Sequence, residues 1–194
     1  MSSQFQNMDV SSKKYDYDLL RKCGENVFIS ANVEIRRPHL MSIGSHVAID
    51  TGFYCTVQAE MGDYIHIAPY VTAIGGAEGL LRMGHFTTIA AGCRIACVSD
   101  NHLGEGLVGP TIPAPYCDQQ KNAPVIMENF SSLGTNVVML PGVTLGEGSV
   151  VGACSLVTRS TEPWTIYAGV PAKPLKVRPR DVMIAMAREL GYEV

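Results

Sequence analysis

His102 is the residue of this 194-residue chain whose type and setting point most directly to chemistry. It stands in V-S-D-N-H-L-G, beside Asn101 and two residues after Asp100, where a regular pattern in the surrounding sequence breaks off. An imidazole titrates near neutrality and is the common general base in proton-transfer catalysis. Asp100 is placed to orient that ring or to hold an acceptor, and with Asn101 it is the next candidate should His102 be dispensable. His85, in M-G-H-F-T-T, is a weaker one. The remaining His39, His46 and His66 are scattered without metal-ligand spacing, and His66 reads as a strand residue.

The elements that must position these groups follow from a repeat. From Met127 to Thr161 the chain reads M-E-N-F-S-S, L-G-T-N-V-V, M-L-P-G-V-T, L-G-E-G-S-V, V-G-A-C-S-L, V-T-R-S-T, with an apolar residue at the first of six positions and a small one at the fifth. A period of six suits neither a helix, with a period near 3.6, nor a flat strand, which alternates by two. It is the mark of a parallel β-helix, in which each repeat forms one side of a coil and buries its first residue only when coils stack. Earlier repeats begin at Val27 and Val33, resume at Ile43 after a four-residue irregularity, and run to Glu78. A second insertion, G-L-L-R at 79–82, precedes the repeats at Met83, Ile89 and Ile95. The expected core is a stack of aliphatic ladders.

Between residues 100 and 124 the period disappears into a segment rich in Pro and Gly. A loop of this length in a compact domain is usually functional, and the solenoid on either side can hold it against a neighbouring subunit. Tyr15 to Gly24 is expected to form a short helix capping the open end, and residues 1–11 to be polar and mobile. After the turn-rich exit Y-A-G-V-P-A-K-P-L-K, residues 179–192 are expected to form a helix with Val182, Met183, Met186 and Leu190 on one face. The expected organisation is a cap segment at 1–26, a β-helix at 27–178 with its loop at 100–124, and a C-terminal helix at 179–194.

Composition agrees with a single well-buried domain: 46% of residues are hydrophobic and 17% charged. A formal net charge of −3 leaves no basic footprint for nucleic acid. The N-terminus lacks the pattern of a secretory signal and no apolar run is long enough to cross a bilayer, so a cytoplasmic protein without a membrane partner is expected. Of the six cysteines, none forms C-x-x-C. Cys55, Cys93 and Cys154 fall where repeats want a small or strand residue, so a reduced packing role is expected.

L-P-G-V-T-L-G-E-G-S-V-V-G-A, then S-L-V-T-R, then Y-A-G-V-P-A-K-P-L-K resembles the C-terminal half of the hexapeptide-repeat acyltransferases, and most of all the sugar O- and N-acetyltransferases. The resemblance covers roughly 27–178. It implies a left-handed parallel β-helix, a homotrimer with active sites between subunits, and acetyl-CoA as donor, with no metal. His102 matches the place of that family's catalytic histidine. Thr135, Ala153, Thr158, Arg159, Lys173 and Lys176 match positions lining its coenzyme A site, with the three cations suited to the phosphates. Trp164 is expected either to stack near the adenine or to pin the exit loop. Tyr54, Tyr64, Tyr70, Tyr116, Asp63 and Asp118 are available to read the hydroxyls of a sugar acceptor, free or nucleotide-linked, expected to be used in surface-polysaccharide synthesis. Acylation of a hydroxyl and of an amine both remain open. The alternatives are a structural scaffold and a metal-binding one of the carbonic-anhydrase-like kind, against which the scattered histidines argue.

Overall fold

A computed structural model describes residues 15–194. The expectation of a mobile segment at 1–11 lies outside the described residues. The six-residue period folds into three parallel sheets, the sides of a β-solenoid. The first sheet has six strands: Lys22–Cys23, Met41–Ile43, Gln58–Met61, Leu80–Met83, Val125–Met127 and Thr144–Leu145. The second begins at Phe28–Ile29, Val47–Ile49 and Ile65–Ile67 and the third at Glu34–Ile35, Tyr54–Cys55 and Thr72–Ile74, so the chain visits the three sides in turn.

Register shows why the period is strict. Ile43 lies opposite Met61, Met61 opposite Met83, Met83 opposite Met127 and Met127 opposite Leu145. These first-position residues and the matching Ile49, Ile67, Ile89 and Leu133 of the second sheet are buried. Fifth-position residues such as Val47, Val71, Cys93, Val137 and Ser149 are buried beside them. Each fully buried aliphatic side chain contributes about 1.5–3 kcal/mol relative to exposure, so misplacing the period by one residue would expose a whole ladder. Cys55, Cys93 and Cys97 belong to this core, all six cysteines are free, and burial pushes the Cys55 thiol up to about 12 and that of Cys97 to about 11. They stay protonated and pack. Cys154 departs from the expectation: it is exposed at a corner with φ of 57°.

Two corner ladders accompany the core. At the corner between the first and second sheets, the fourth position of successive coils carries His46, Tyr64, Phe86 and Phe130, all with φ between 59° and 62° or just below at 57° for Tyr64. Their rings stack at centroid separations of 4.5, 5.1 and 5.1 Å, and Trp164 continues the column 5.6 Å beyond Phe130. At the third position, each side chain accepts a hydrogen bond from the backbone of the coil before it. Ser45 Oγ accepts from the Glu25 N–H, Asp63 Oδ1 from Ser45, His85 Nδ1 from Asp63 and Asn129 Oδ1 from His85. These bonds supply partners for amides that a turn would otherwise strand.

The insertions emerge at the remaining corner, between the third sheet and the first. Arg36–Leu40, the turn at Gly75–Gly79 and the long loop after Cys97 all leave there, because an outward excursion at a corner disturbs no inner ladder. The second insertion is thus displaced from 79–82: Leu80–Met83 is a strand paired residue for residue with Gln58–Met61. The N-terminal helix does not form either. Tyr17–Leu19 makes a single 3-10 turn, and Lys22–Cys23 is already the first rung of the first sheet. The C-terminal helix spans Asp181–Glu189 with a different face inward. Met183, Ile184 and Ala187 pack on Phe130 and Trp164, whereas Val182, Met186 and Leu190 are 67%, 59% and 55% exposed.

Candidate active site

The loop that carries His102 is anchored by a two-stranded antiparallel ribbon, in which Val98–Asp100 pairs with Gln120–Asn122. Ala123 N–H returns to Cys97 O at 3.0 Å, closing the ribbon onto the solenoid. Asn101 N–H extends the pairing to Gln119 O at 2.9 Å. The Asp100 carboxylate accepts from Gln120 Nε2 at 2.8 Å, so one of its oxygens is engaged within the ribbon. His102 follows at the ribbon's tip, exposed, with φ of 57°. Its backbone N–H donates to Asp118 Oδ2 at 2.8 Å, and its imidazole makes no hydrogen bond among the described residues. Asp100, Asn101 and His102 thus follow one another from the ribbon into its tip, with His102 exposed. Leu103, Leu107 and Tyr116, exposed by 75%, 59% and 63%, make the outer surface of the loop apolar.

The other named histidines serve the scaffold. His85 is committed by its Nδ1 to the Asp63 N–H at 3.0 Å and lies 3.4 Å from Asp63 Oδ2. His66 Nε2 pairs with Asp50 Oδ2 at 2.9 Å across neighbouring coils, His46 stacks on Tyr64, and His39 sits in the turn Pro38–Leu40. Among the described residues no group of three His, Cys, Asp or Glu is arranged to hold a metal ion.

The six donor-site candidates fall into three places. Thr135 and Ala153 share the corner between the second and third sheets, where Cys154 N–H bonds to Thr135 O at 2.8 Å. Gly134 is required there: a Cβ would lie 2.6 Å from Ala153 N. Lys173 stands opposite Ala168 in the final hairpin, Thr165–Ala168 against Lys173–Val177, and Lys176 stands opposite Ile166. Thr158 and Arg159 are exposed just past Leu156–Val157, the last strand of the third sheet. One coil earlier, Leu140 N–H bonds to Val157 O at 3.1 Å; the corresponding Thr158 N–H has no coil above it and no partner among the described residues. This arrangement fits the coenzyme: a free strand-edge amide suits the amides of a pantetheine arm, and three exposed cations suit phosphates. Thr158 and Arg159 lie at the same corner as the root of the His102 loop, with the turn at Gly142 between them.

Several expected acceptor contacts are instead structural. Asp63 binds the Ser45 N–H and the Tyr192 hydroxyl, Tyr64 lies in the aromatic column, Tyr54 lies under the Arg36 guanidinium at 5.2 Å, and Asp118 is 4% exposed inside the loop. Tyr70 and Tyr116 remain exposed. Trp164 pins the exit segment, its Nε1 donating to Glu147 Oε2 at 3.1 Å. Arg178, which the repeat pattern did not flag, clamps the same corner by donating from one nitrogen to Phe130 O and Gly148 O, both at 2.9 Å. A groove of about 650 Å³ lies over the first sheet beside the C-terminal residues and includes Glu60, Arg82, His85 and Tyr192. None of the donor-site candidates nor His102 lines it. A smaller one of about 420 Å³ is cupped by the loop itself, between Gly104–Leu107 and Pro115–Cys117.

No protein-family model matches the chain. A dTDP-4-amino-4,6-dideoxy-D-glucose acyltransferase of Escherichia coli is 30% identical over 168 residues, 84% of this chain and 85% of that protein. A chloramphenicol acetyltransferase of Agrobacterium fabrum is 30% identical over 84% of this chain and 79% of its own length. Among solved structures, a variant of AntD, an N-acyltransferase from Bacillus cereus in complex with dTDP-4-amino-4,6-dideoxyglucose and coenzyme A, superposes with a TM-score of 0.87 at 32% identity, over 93% of this chain and 98% of that one. A repeat-built parallel solenoid places the chain among hexapeptide-repeat proteins, and these matches make the membership plain: the chain belongs to the hexapeptide-repeat, acyl-CoA-dependent acyltransferases.

Proposed function

We propose that this enzyme moves an acetyl group from acetyl-CoA to the amino group of a nucleotide-linked amino sugar. The observation that carries the reading is the match over 98% of AntD, a protein whose structure holds a dTDP-amino sugar and coenzyme A together. The same enzyme is known with dTDP and 3-hydroxybutyryl-CoA, so longer acyl groups belong in any donor panel. Thr135, Ala153 and Thr158 line the pantetheine and Arg159, Lys173 and Lys176 meet the phosphates of the donor. One chain presents these groups on separate corners, which supports a homotrimer of left-handed coils whose sites form between subunits. The reaction is expected in the cytoplasm, where acyl-CoA and nucleotide sugars are made, and its product suits surface-polysaccharide assembly.

His102 takes a proton from the acceptor nitrogen as that nitrogen bonds to the thioester carbonyl carbon. Backbone N–H groups of the cleft stabilise the tetrahedral oxyanion, and its collapse breaks the carbon–sulfur bond, the departing thiolate taking up the proton. Asp100 and Asn101 hold the acceptor beside the imidazole. A hydroxyl acceptor would use the same steps with greater dependence on the base, because a hydroxyl does not shed its proton to water as readily as an ammonium group. The test is His102→Ala, assayed by thiol release from acetyl-CoA. A loss of about 10²–10⁴-fold in kcat is expected of a general base. Retention of kcat with an amine acceptor would remove His102 from the chemistry and leave the acceptor to deprotonate by itself.

A further inference from the structure

We infer that Asp118 is a positioning residue for the transfer reaction, fixing the His102 imidazole through the backbone. This rests on the reading of His102 as the base. Asp118 is 4% exposed in a loop whose other residues from 101 to 117 are mostly exposed. A buried carboxylate needs partners, and among the described residues none of its partners is a cation. Its two oxygens are instead divided between backbone amides: Oδ2 accepts from His102 N–H and Oδ1 from Gln119 N–H, each at 2.8 Å. One side chain thereby joins the outgoing limb of the loop to the returning limb at the residue that carries the imidazole.

His102 needs such a clamp. Its φ of 57° is left-handed, a conformation that costs a non-glycine residue about 1–2 kcal/mol and persists only where the surroundings impose it. Its side chain has no hydrogen bond of its own among the described residues, so the ring's place is set by where the backbone puts its Cβ. The loop is also built tightly around Asp118. Asp118 N–H bonds to Leu107 O at 2.9 Å and Leu107 N–H to Tyr116 O at 2.8 Å. Gly106 faces it so closely that a Cβ would lie 2.5 Å from Asp118 N. The buried carboxylate is thus the centre of the loop's own small fold, and His102 is one of its two direct attachments.

The experiment is a cycle of full-length variants assayed with acetyl-CoA and an amine acceptor: Asp118→Ala, Asp118→Asn, His102→Ala and the double variant Asp118→Ala/His102→Ala. Asp118→Ala is expected to lower kcat at least about tenfold while the KM for acetyl-CoA changes by less than roughly twofold, since the donor site lies elsewhere. Asp118→Asn keeps one accepting oxygen and should fall between. In the His102→Ala background, Asp118→Ala should cost less than about twofold more, because a residue acting through another has nothing left to act on. A wild-type kcat for Asp118→Ala, or a loss as large without His102 as with it, would overturn the inference. Thermal melting identifies any variant that fails to fold, and Asp118→Asn, of the same shape, then carries the decision. If His102→Ala itself keeps full activity, the base assignment falls and takes the positioning role with it; an inactive His102→Ala beside an active Asp118→Ala removes the positioning role alone.

Discussion

The Tyr192 hydroxyl donates to Asp63 Oδ2 at 2.8 Å, joining a residue three from the C-terminus to the third coil of the solenoid. Burial raises the Asp63 pKa, but the hydrogen bonds from Ser45 N–H and Tyr192 and the nearby His85 and His46 outweigh it, so the carboxyl is held below its ordinary 3.8. Tyr192 is pushed up to about 12 by burial and by bonding to that carboxylate. A depressed carboxyl stabilises the fold above its unfolded pKa, and the contribution is lost as pH falls through the folded one. Tyr192→Phe should therefore lower stability by about 1 kcal/mol, or about 2–4 °C in Tm near neutrality. The gap from wild type should close only as pH drops below 3.8. Melting curves across that range check this, and a gap that closes nearer neutrality would contradict it. The same pair shows what the sequence left hidden at this scale. Asp63, Asp118 and His85 are polar residues of types that read equally as ligands or as caps; the coil register reveals the backbone amides that Asp63 and His85 bind, and the folded loop those that Asp118 binds. Asp100 and His102 were singled out because they stand where the repeat ends, and their place at the base and tip of the loop follows from that break.

At the scale of elements, the solenoid and the loop are separable. The inner ladders run unbroken beneath the corner from which the ribbon Val98–Asp100 and Gln120–Asn122 projects, with Met83 directly opposite Met127. Replacing residues 101–119 by a short Gly-Ser turn should leave Tm within about 3 °C of wild type, since little buried apolar surface is lost. It should abolish transfer. Retained turnover in such a variant would mean that the loop's role is structural or regulatory. The repeats were legible because each coil needs an apolar residue at a fixed interval. The helix face was not. Val182, Met183, Met186 and Leu190 sit at an attractive spacing, yet of these only Met183 packs on the aromatic column, with Ile184 and Ala187 beside it. That column was itself written in the sequence as His, Tyr, Phe and Phe at the fourth position of I-G-S-H, M-G-D-Y, M-G-H-F and M-E-N-F. The expected helix at 15–24 failed because Lys22–Cys23 gains more by pairing with Ser42–Ile43 than by capping.

For the whole molecule, the donor-site candidates lie on three parts of the surface and the imidazole on a projecting loop, and neither of the two grooves described above collects them. In the proposed trimer a neighbouring copy completes the cleft. Family and reaction class were legible from the C-terminal repeats and A-G-V-P-A-K. Which sugar and which of its atoms accept the acyl group were not, because no linear motif in the early coils or the loop names a substrate. The central claim is acyl transfer to an amino sugar on a nucleotide. Its most direct test is thiol release from acetyl-CoA by the wild-type protein with and without dTDP-4-amino-4,6-dideoxyglucose. Acceptor-dependent release is expected with kcat on the order of 1–10³ s⁻¹, and an acetylated nucleotide sugar as product. Release no faster with the acceptor than without it would rule out this sugar as the acceptor and with it the proposed reaction.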